Sequence, residues 1–217
     1  KLYSYGVETN TSFESDFCDR YDCDAVLFDH TVDGPEKPDE RFTFVKQGLS
    51  HVTTDDCDTL HNHLSLYGNP ERKTLKMDIE WCEWNIFKHM PHHILKDFDQ
   101  ILCEFHLIPM NYRDKHSPYF TGFHKEVYSK VNKMLFKQYS SILQRLQEDY
   151  YIFHVHINNS IPCNYVGTEE IPPLVELSMV NKSLVDNPTL CVDKFPIEGL
   201  DYPNKTDRPD ITHILWN

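Results

Sequence analysis

The chain has 217 residues, of which 40% are hydrophobic and 13% aromatic, enough for one domain with a sizeable core. Its formal net charge of −13 repels phosphate backbones and anionic membrane surfaces, so we expect no nucleic-acid partner. No apolar run reaches the ~20 residues that span a bilayer. Because the sequence opens at Lys1 without methionine, we expect a processed piece in which missing targeting signals mean little.

The N-terminal half alternates apolar segments with amphipathic ones. Phe13 and Phe17 share one face of a predicted helix, and the continuous apolar run at 25–28 is typical of a strand buried on both faces. Strands that alternate with helices predict a parallel sheet covered on both faces. The predicted strands are Lys1–Val7, Asp24–His30, Arg41–Leu49, Thr74–Glu80 and Asp99–Ile108, and the predicted helices are Ser12–Tyr21, Asp58–Leu66 and a segment around Trp84.

The C-terminal half begins with a long amphipathic stretch, Phe120–Asp149, whose apolar residues recur at helical spacing. Two late strands are predicted at Tyr150–Ile157 and Leu174–Leu184, joined by a loop that is rich in proline. A turn-rich tail, Gly199–Asp210, and a last apolar segment, Ile211–Trp216, complete the chain.

Ligands on parallel sheets bind at the carboxyl ends of the strands, which directs attention to two residues. Gly6 ends the first strand, and the polar turn after it can aim backbone N–H groups at an anionic group. Asp29 ends the second strand, where a carboxylate can accept the hydroxyls of a ribose. Together they predict a nucleoside-containing cofactor; the alternative is a capping turn and an ordinary aspartate. Neither GxGxxG nor a P-loop occurs.

Three segments occur in order and with suitable gaps: YSYGVETNTSFESDFCDRYDCDAVLFDHT, LKMDIEWCEWNIF and ILCEFHL. They resemble the class I S-adenosylmethionine-dependent methyltransferases, and most closely the FkbM-type and related methyltransferase-like group. The resemblance implies an α/β, Rossmann-like fold with a mostly parallel seven-stranded sheet, an antiparallel last strand and helices on both faces. It implies one domain over residues 1–217, in which 1–110 form the cofactor-binding half and 111–217 shape the acceptor site.

The resemblance also implies S-adenosylmethionine as the cofactor and a role for each matching position. Two departures favour either a changed pocket or a degenerate relative: Glu8 stands in a turn that lacks further glycines, and Trp81 replaces the family's glycine. The implied cofactor residues are Gly6, Thr11 and Ser12 at the methionine moiety, Asp29 at the ribose with His30 beside it, Gly48 and Ser50 at the adenine, and Asp78 beneath the methyl-transfer site.

Transfer from a sulfonium requires alignment of the acceptor, and a hydroxyl acceptor also benefits from a general base. Glu104 and His106 point to one face of their predicted strand, as do His154 and His156. Such a cluster is able either to deprotonate a hydroxyl or to bind a divalent metal such as Mn²⁺. Ordinary core or surface histidines remain the alternative. The catalytic candidates are Asp78, His106 and His156, and the metal candidates are Asp78, Glu104, His106, His154 and His156.

The cellular compartment is approached through sequons and cysteines. Four N-x-S/T sequons favour the secretory-pathway lumen, such as the Golgi, or the extracellular space. Two of them, at Asn10 and Asn158, lie in segments assigned to the site, where a glycan would block function, so the cytoplasm stays open as an alternative. Seven cysteines leave at least one unpaired within the chain, although Cys18 and Cys23 could bridge.

The leading hypothesis is therefore an S-adenosylmethionine-dependent O-methyltransferase that acts on a hydroxyl of a glycan or another small molecule. The second hypothesis is a non-catalytic binding or structural protein on a degenerate methyltransferase scaffold. A third is a cytosolic methyltransferase of small molecules. The acceptor, the position methylated and the oligomeric state are not fixed by the sequence.

Overall fold

The computed structural model describes residues 1–107, 125–161, 163–166, 169–191 and 195–211. Its helices are α1 (Ser12–Tyr21), α2 (Leu60–Tyr67), α3 (Glu83–His89), α4 (His92–Leu95) and α5 (Lys125–Asp149). Its strands are β1 (Leu2–Tyr5), β2 (Ala25–Phe28), β3 (Phe42–Val45), β4 (Gly48–Leu49), β5 (Cys57–Asp58), β6 (Thr74–Met77), β7 (Gln100–His106), β8 (Tyr150–Ile157), β9 (Asn164–Val166), β10 (Glu169–Ile171) and β11 (Leu174–Asn181).

Seven strands form the central sheet in the order β3-β2-β1-β6-β7-β11-β8. The pairs from β3 to β7 are parallel, whereas β11 runs antiparallel to both of its neighbours. This confirms the mostly parallel seven-stranded sheet with an antiparallel last strand. The chain leaves β1 for β2 on one side and returns as β6 on the other, so the strand order reverses at β1, which is where open parallel sheets bind ligands.

Apolar residues cover both faces of the sheet, which explains the continuous apolar runs of the early strands. The larger core contains Tyr5, Phe28 and Met77 from the sheet, and α2, α3 and α5 contribute their apolar faces to it. On the opposite face, Cys18 of α1 joins a smaller cluster around Leu27. The expected helices on both faces are therefore confirmed.

On the face of the sheet that packs against α1, the strands beyond β1 carry polar side chains. Lys76 of β6 lies next to Ser4 of β1, and both contact Glu14 of α1, so Lys76 points toward this face. Strand alternation places Glu104 of β7 on the same face, and the register pairs it with Glu176 of β11. His156 of β8 pairs with Glu176 in turn. We call this row of polar side chains on β6, β7, β11 and β8 the polar half-face.

Several predicted boundaries differ from the structure for local reasons. The single strand predicted at Arg41–Leu49 is two strands, β3 and β4, because the chain turns between them and β4 pairs with β5 instead of the main sheet. The strand predicted to reach Leu184 ends at Asn181, whose side chain caps a short 3₁₀ turn. A small β9–β10 hairpin lies within the predicted loop. The predictions for 120–124 and 212–216 fall outside the described residues.

Cys18 and Cys23 are free thiols, so the bridge considered from the sequence is not formed. Burial raises the pKa of Cys18 to about 12, which keeps that thiol protonated. Within the described part of the chain, no helix is both long and apolar enough to cross a membrane.

Replacement of Gly6 tests the close contact between its backbone and the backbone of Asp78. Gly6 has φ of 72°, and an added Cβ would lie 1.6 Å from the backbone oxygen of Asp78. Gly199 has a similar φ of 80° but nothing within 4 Å of its Cβ position, so it is a matched control. We expect Gly199→Ala to lower the free energy of unfolding by about 1–2 kcal/mol through backbone strain alone. Gly6→Ala should lower it by about 3–5 kcal/mol in urea titrations followed by circular dichroism. Equal losses would contradict the contact.

Candidate functional site

A cavity of about 510 Å³ opens at the carboxyl ends of β1, β2, β4 and β6. This volume falls within the range of about 300–1,000 Å³ that is usual for small-molecule sites. Five of the eight cofactor residues implied by the resemblance line it: Gly6, Asp29, His30, Gly48 and Asp78. Of the other three, Thr11 and Ser12 lie at the start of α1, and Ser50 lines a neighbouring cavity of about 270 Å³.

The turn after β1 is held from both sides. The Gly6 N–H donates to the carbonyl of Phe28 at 2.9 Å, and the Asp78 N–H donates to the carbonyl of Tyr5 at 3.1 Å. Glu8 adopts a left-handed φ of 50°, and its N–H donates to Oδ2 of Asp29 at 2.9 Å. The turn is therefore a fixed wall of the cavity.

Asp29 joins two loops at the end of β2. Its Oδ1 accepts hydrogen bonds from the Thr31 N–H at 2.8 Å and from the Thr31 hydroxyl at 2.6 Å. Burial raises the pKa of Asp29, but the hydrogen bonds from Thr31 and from the Glu8 N–H outweigh burial and lower the pKa, so the carboxylate stays ionised. A carboxylate has about four acceptor positions, and three are used here, which leaves room for about one ribose hydroxyl.

Gly48 allows two side chains to approach the chain at the far end of the cavity. A Cβ at this position would lie 2.7 Å from Nδ1 of His30 and 2.8 Å from Sγ of Cys57. A larger residue would therefore displace one of them. The absence of a side chain at Gly48 therefore allows the His30 ring to lie beside the cavity.

Asp78, Glu104 and His106 each offer one ligand atom, and these atoms lie within 4.8 Å of one another. We call them the triad. Burial, followed by the charge of Asp78, raises the pKa of Glu104 to about 8, although a 2.7 Å hydrogen bond from Asn158 acts against it. Oδ1 of Asp78 is buried and has no hydrogen-bond partner among the described residues. Burial and the neighbouring Asp78 thus keep the Glu104 carboxyl protonated at neutral pH in the metal-free protein.

His106 is held in one orientation by α3. Its Nδ1 lies 3.0 Å from Oε1 of Glu83, which also accepts the Ile79 N–H at 3.1 Å. The indole N–H of Trp84 donates to the His106 carbonyl at 2.7 Å. The other ring nitrogen, Nε2, is 3.2 Å from Oε2 of Glu80. Burial lowers the pKa of His106, but the hydrogen bond to Glu83 and the nearby carboxylates outweigh burial and raise it.

Sequence reasoning missed the role of Glu83, which it treated only as part of a family block. Glu83 is fully buried, and its Oε2 has no hydrogen-bond partner in the part of the chain that the structure describes. The available signal was an acidic residue at the first position of a helix that follows directly on β6. A buried carboxylate bonded to an imidazole is a recurring way to orient a metal-binding or proton-accepting histidine.

The chain between β6 and α3 takes an uncommon path. Glu80 and Trp81 both have left-handed φ values, 51° and 79°. Left-handed backbone favours glycine, which explains why a glycine occurs at position 81 in the resembling family. Trp81 adopts this conformation at a cost of about 1–3 kcal/mol, and its ring lies 5.2 Å from the ring of His106. The departure at Trp81 therefore leaves the path to Glu83 intact.

His154 and His156 do not join the triad. Nδ1 of His156 lies 3.1 Å from Oε2 of Glu176, and this hydrogen bond, opposed by burial, is the main reason that the pKa of His156 rises to about 9. Nε2 of His154 lies 2.9 Å from Oδ1 of Asp201. The physical reason is the position of β11, which places Glu176 between His156 and Glu104. Both imidazoles therefore contact carboxylates of β11 and the tail.

The described segment 195–211 contains the predicted tail and is attached to the carboxyl end of β8. We call this whole segment the tail from here on. The side chain of Asn159 donates to the carbonyl of Lys205 at 3.0 Å and accepts the Lys205 N–H at 2.8 Å. Asn204 donates to Oε1 of Glu176 at 3.2 Å. These contacts place the tail beside the polar half-face.

Two of the four sequon asparagines are engaged inside the fold. Asn158 is 8% exposed and donates to Glu104, so the folded protein has no room for a glycan there. The Asn181 side chain donates to the carbonyl of Lys96 at 2.9 Å. Asn10 and Asn204 are exposed, so the case for a secretory lumen rests on these two asparagines, and the compartment stays a prediction.

Comparison with known proteins adds one finding to this geometry. A family model described as a methyltransferase domain matches residues 1–146, more than half of the 217-residue chain. No curated protein matches the chain. The matched region contains the turn at Gly6, the cavity and the whole triad, and it does not distinguish the FkbM-type group. The chain belongs to the methyltransferase-domain family.

Proposed function

We propose that the protein is an S-adenosylmethionine-dependent O-methyltransferase that acts on a hydroxyl of a glycan or another small molecule, with a divalent metal at the triad. The observation that carries the proposal is the shared residue Asp78. It lines the cavity at the switch point of the sheet and also belongs to the triad. A methyl donor in the cavity and an acceptor at the triad would therefore meet at one side chain.

The cavity fits the cofactor in its size and in the placement of its polar groups. Gly6 brings the backbone close to the end of β6, Asp29 retains acceptor capacity for a ribose hydroxyl, and Gly48 lets the His30 ring pack against the backbone beside the cavity. Bound S-adenosylmethionine would supply an activated methyl group for direct displacement. The protein then has to hold donor and acceptor in line, which is largely a matter of positioning.

The triad fits a divalent cation because of its donor set. Two carboxylates and one imidazole suit Mn²⁺, Fe²⁺ or Zn²⁺. Oδ1 of Asp78 is buried without a hydrogen-bond partner among the described residues, as expected of an oxygen that would bind a cation. Asp78, Glu104 and His106 would hold the ion, and an ion there would lower the pKa of a coordinated hydroxyl.

His106 and the polar half-face would serve the acceptor. Because Nδ1 of His106 is bonded to Glu83, Nε2 is the nitrogen left for a metal or an acceptor proton, and the Glu80 carboxylate, now 3.2 Å from Nε2, would have to move aside. Glu176, Asn158 and Asn204 add hydrogen-bonding groups around Glu104. A site with several such groups suits a molecule rich in hydroxyls, which supports a glycan or a similar acceptor.

One observation favours a second candidate, a non-catalytic protein on the same scaffold. Asp29 already accepts three hydrogen bonds from Glu8 and Thr31, so its carboxylate is committed to the loops more than to a ribose. In this alternative, the cavity holds no S-adenosylmethionine and the triad serves binding or stability.

Calorimetric titration separates these two candidates. We expect S-adenosylmethionine to bind with a dissociation constant in the micromolar range, about −8 kcal/mol. Asp29→Ala should weaken binding at least about tenfold, since it removes a charged acceptor. Asp33→Ala, at an exposed carboxylate paired with Lys46, is the control and should bind as the wild type does. Incubation with a panel of glycosides and Mn²⁺ should then give methylated products by mass spectrometry. No heat from folded wild-type protein would support the non-catalytic candidate.

Metal binding is tested on protein without cofactor by electron paramagnetic resonance of Mn²⁺. His106→Ala should weaken Mn²⁺ binding at least about tenfold, and Glu83→Gln should weaken it about tenfold because it loosens the imidazole. His154→Ala is the matched control, since this strand histidine contacts Asp201 and lies outside the triad. Equal affinities for His106→Ala and the wild type would exclude a metal at the triad.

The raised pKa of Glu104 gives a pH dependence for the metal-free protein. The carboxyl is protonated in the folded state up to its pKa of about 8, whereas the reference value is 4.5. Its stabilising contribution is complete below 4.5 and is lost as the pH rises toward 8, at about 1 kcal/mol per pH unit. Glu104→Gln resembles the protonated form and should lose this part of the dependence. Urea unfolding at pH 5, 6.5 and 8 measures the difference, and parallel pH profiles would contradict the raised pKa.

A further inference from the structure

Lys76 brings a positive charge to a cavity that is otherwise acidic. It stands two residues before Asp78 on β6 and shares its face of the strand. Among the described residues that line the cavity, it is the only lysine or arginine. Four carboxylates line the same cavity: Glu8, Asp29, Asp78 and Glu80.

The Lys76 ammonium has an ionic partner, but its hydrogen-bond donors are not used by the described residues. Its Nζ lies 3.6 Å from Oε1 of Glu14, a distance that allows ionic attraction but exceeds that of a hydrogen bond. That same oxygen already accepts the hydroxyl of Ser4 at 2.6 Å. In the described residues the ammonium has no hydrogen-bond acceptor, although it has three donors. Its side chain is 22% exposed, so a ligand in the cavity has access to it.

The charges of S-adenosylmethionine show why a positive residue such as Lys76 matters for its binding in this cavity. The ligand carries two positive groups, the sulfonium and the ammonium, and one negative group, the carboxylate. The carboxylates of the cavity attract the first two and repel the third. A buried or half-buried anion needs a charged partner or several hydrogen bonds.

We propose that Lys76 binds the carboxylate of the cofactor's amino-acid moiety, an assignment that rests on the proposed function. Glu14 holds Lys76 by ionic attraction, and the free N–H donors of the Lys76 ammonium would face the ligand. The same arrangement accounts for Glu8 in the turn, because an acidic residue there suits the ligand's ammonium group once Lys76 takes the carboxylate.

Two ligands that differ only in the amino-acid moiety test the assignment. S-adenosylhomocysteine carries the carboxylate, whereas 5′-methylthioadenosine has the same nucleoside and thioether without it. Lys76→Met should weaken S-adenosylhomocysteine about 10- to 100-fold in calorimetry, as expected for a lost bond to a charged group. Its affinity for 5′-methylthioadenosine should change less than about twofold. Lys46→Met, at an exposed lysine paired with Asp33, is the control and should leave both affinities unchanged.

Two further variants keep the test informative if the first is unstable. Lys76→Met leaves the buried Glu14 without its cation, so Lys76→Met combined with Glu14→Gln removes both charges together. Lys76→Arg keeps the charge and should retain the preference for S-adenosylhomocysteine. Bound 5′-methylthioadenosine shows that the cavity of each variant is folded.

The outcomes separate this assignment from the proposed function. If Lys76→Met binds S-adenosylhomocysteine with the wild-type affinity, the assignment is overturned but the proposed function is not. Equal weakening of both ligands overturns it as well, since it shows a structural role of Lys76. Wild-type protein that binds neither ligand overturns the proposed function and the assignment together.

Discussion

The whole site depends on the contact between the backbone of Gly6 and the carbonyl of Asp78. At this point the chain leaves β1, and β6 ends directly beside it, so the two backbones approach more closely than any side chain permits. Hydrogen bonds from Gly6 to Phe28 and from Asp78 to Tyr5 fix the contact on both sides. The wall of the cavity and the first member of the triad are consequently parts of one rigid junction, and neither can shift without the other.

The register of the sheet then determines where charge accumulates. Glu104 and Glu176 face each other across β7 and β11, and Asp78 follows the strand on the other side of β7. Burial is the main cause of the raised pKa of Glu104, and the unfavourable row of like charges formed with Asp78 and Glu176 raises that pKa further. Asn158 and His156 relieve part of it, but oxygens of Asp78 and of the buried Glu83 keep no described partner. Buried acidic groups without partners are common at functional sites, and this arrangement therefore supports the proposed ligand site at the triad.

Much of the fold could be predicted from the sequence because the signals are local. Apolar runs identified the strands of the main sheet, and the rule that ligands bind at strand ends identified Gly6 and Asp29 before their contacts were known. The break between β3 and β4 was missed, since it results from a turn and a separate pairing that apolar pattern does not encode. The number of strands in the sheet and the antiparallel direction of the last strand came from the family resemblance, not from periodicity.

The triad could be predicted only in part, for a reason that lies in topology. Alternation shows that Glu104 and His106, or His154 and His156, share a face, but it does not show which strands are neighbours. The insertion of β11 between β7 and β8 separates the second pair of histidines from the first. Glu83 was missed because its contact with His106 requires left-handed backbone at Glu80 and Trp81, which side chains there ordinarily disfavour.

The boundary of the family match divides the site in a physically meaningful way. Residues 1–146 include the cavity, Lys76 and the triad, which are the parts that would handle the methyl donor and the metal. β8, β11 and the tail lie beyond residue 146. The two strands supply His156 and Glu176 to the polar half-face, and Asn204 of the tail donates to Glu176. Under the proposed function, the donor side would thus be built from elements that the family model describes. Under the proposed function, polar contacts between β8, β11 and the tail would complete the acceptor side, so substitutions there should change which hydroxyl is recognised without altering the cavity.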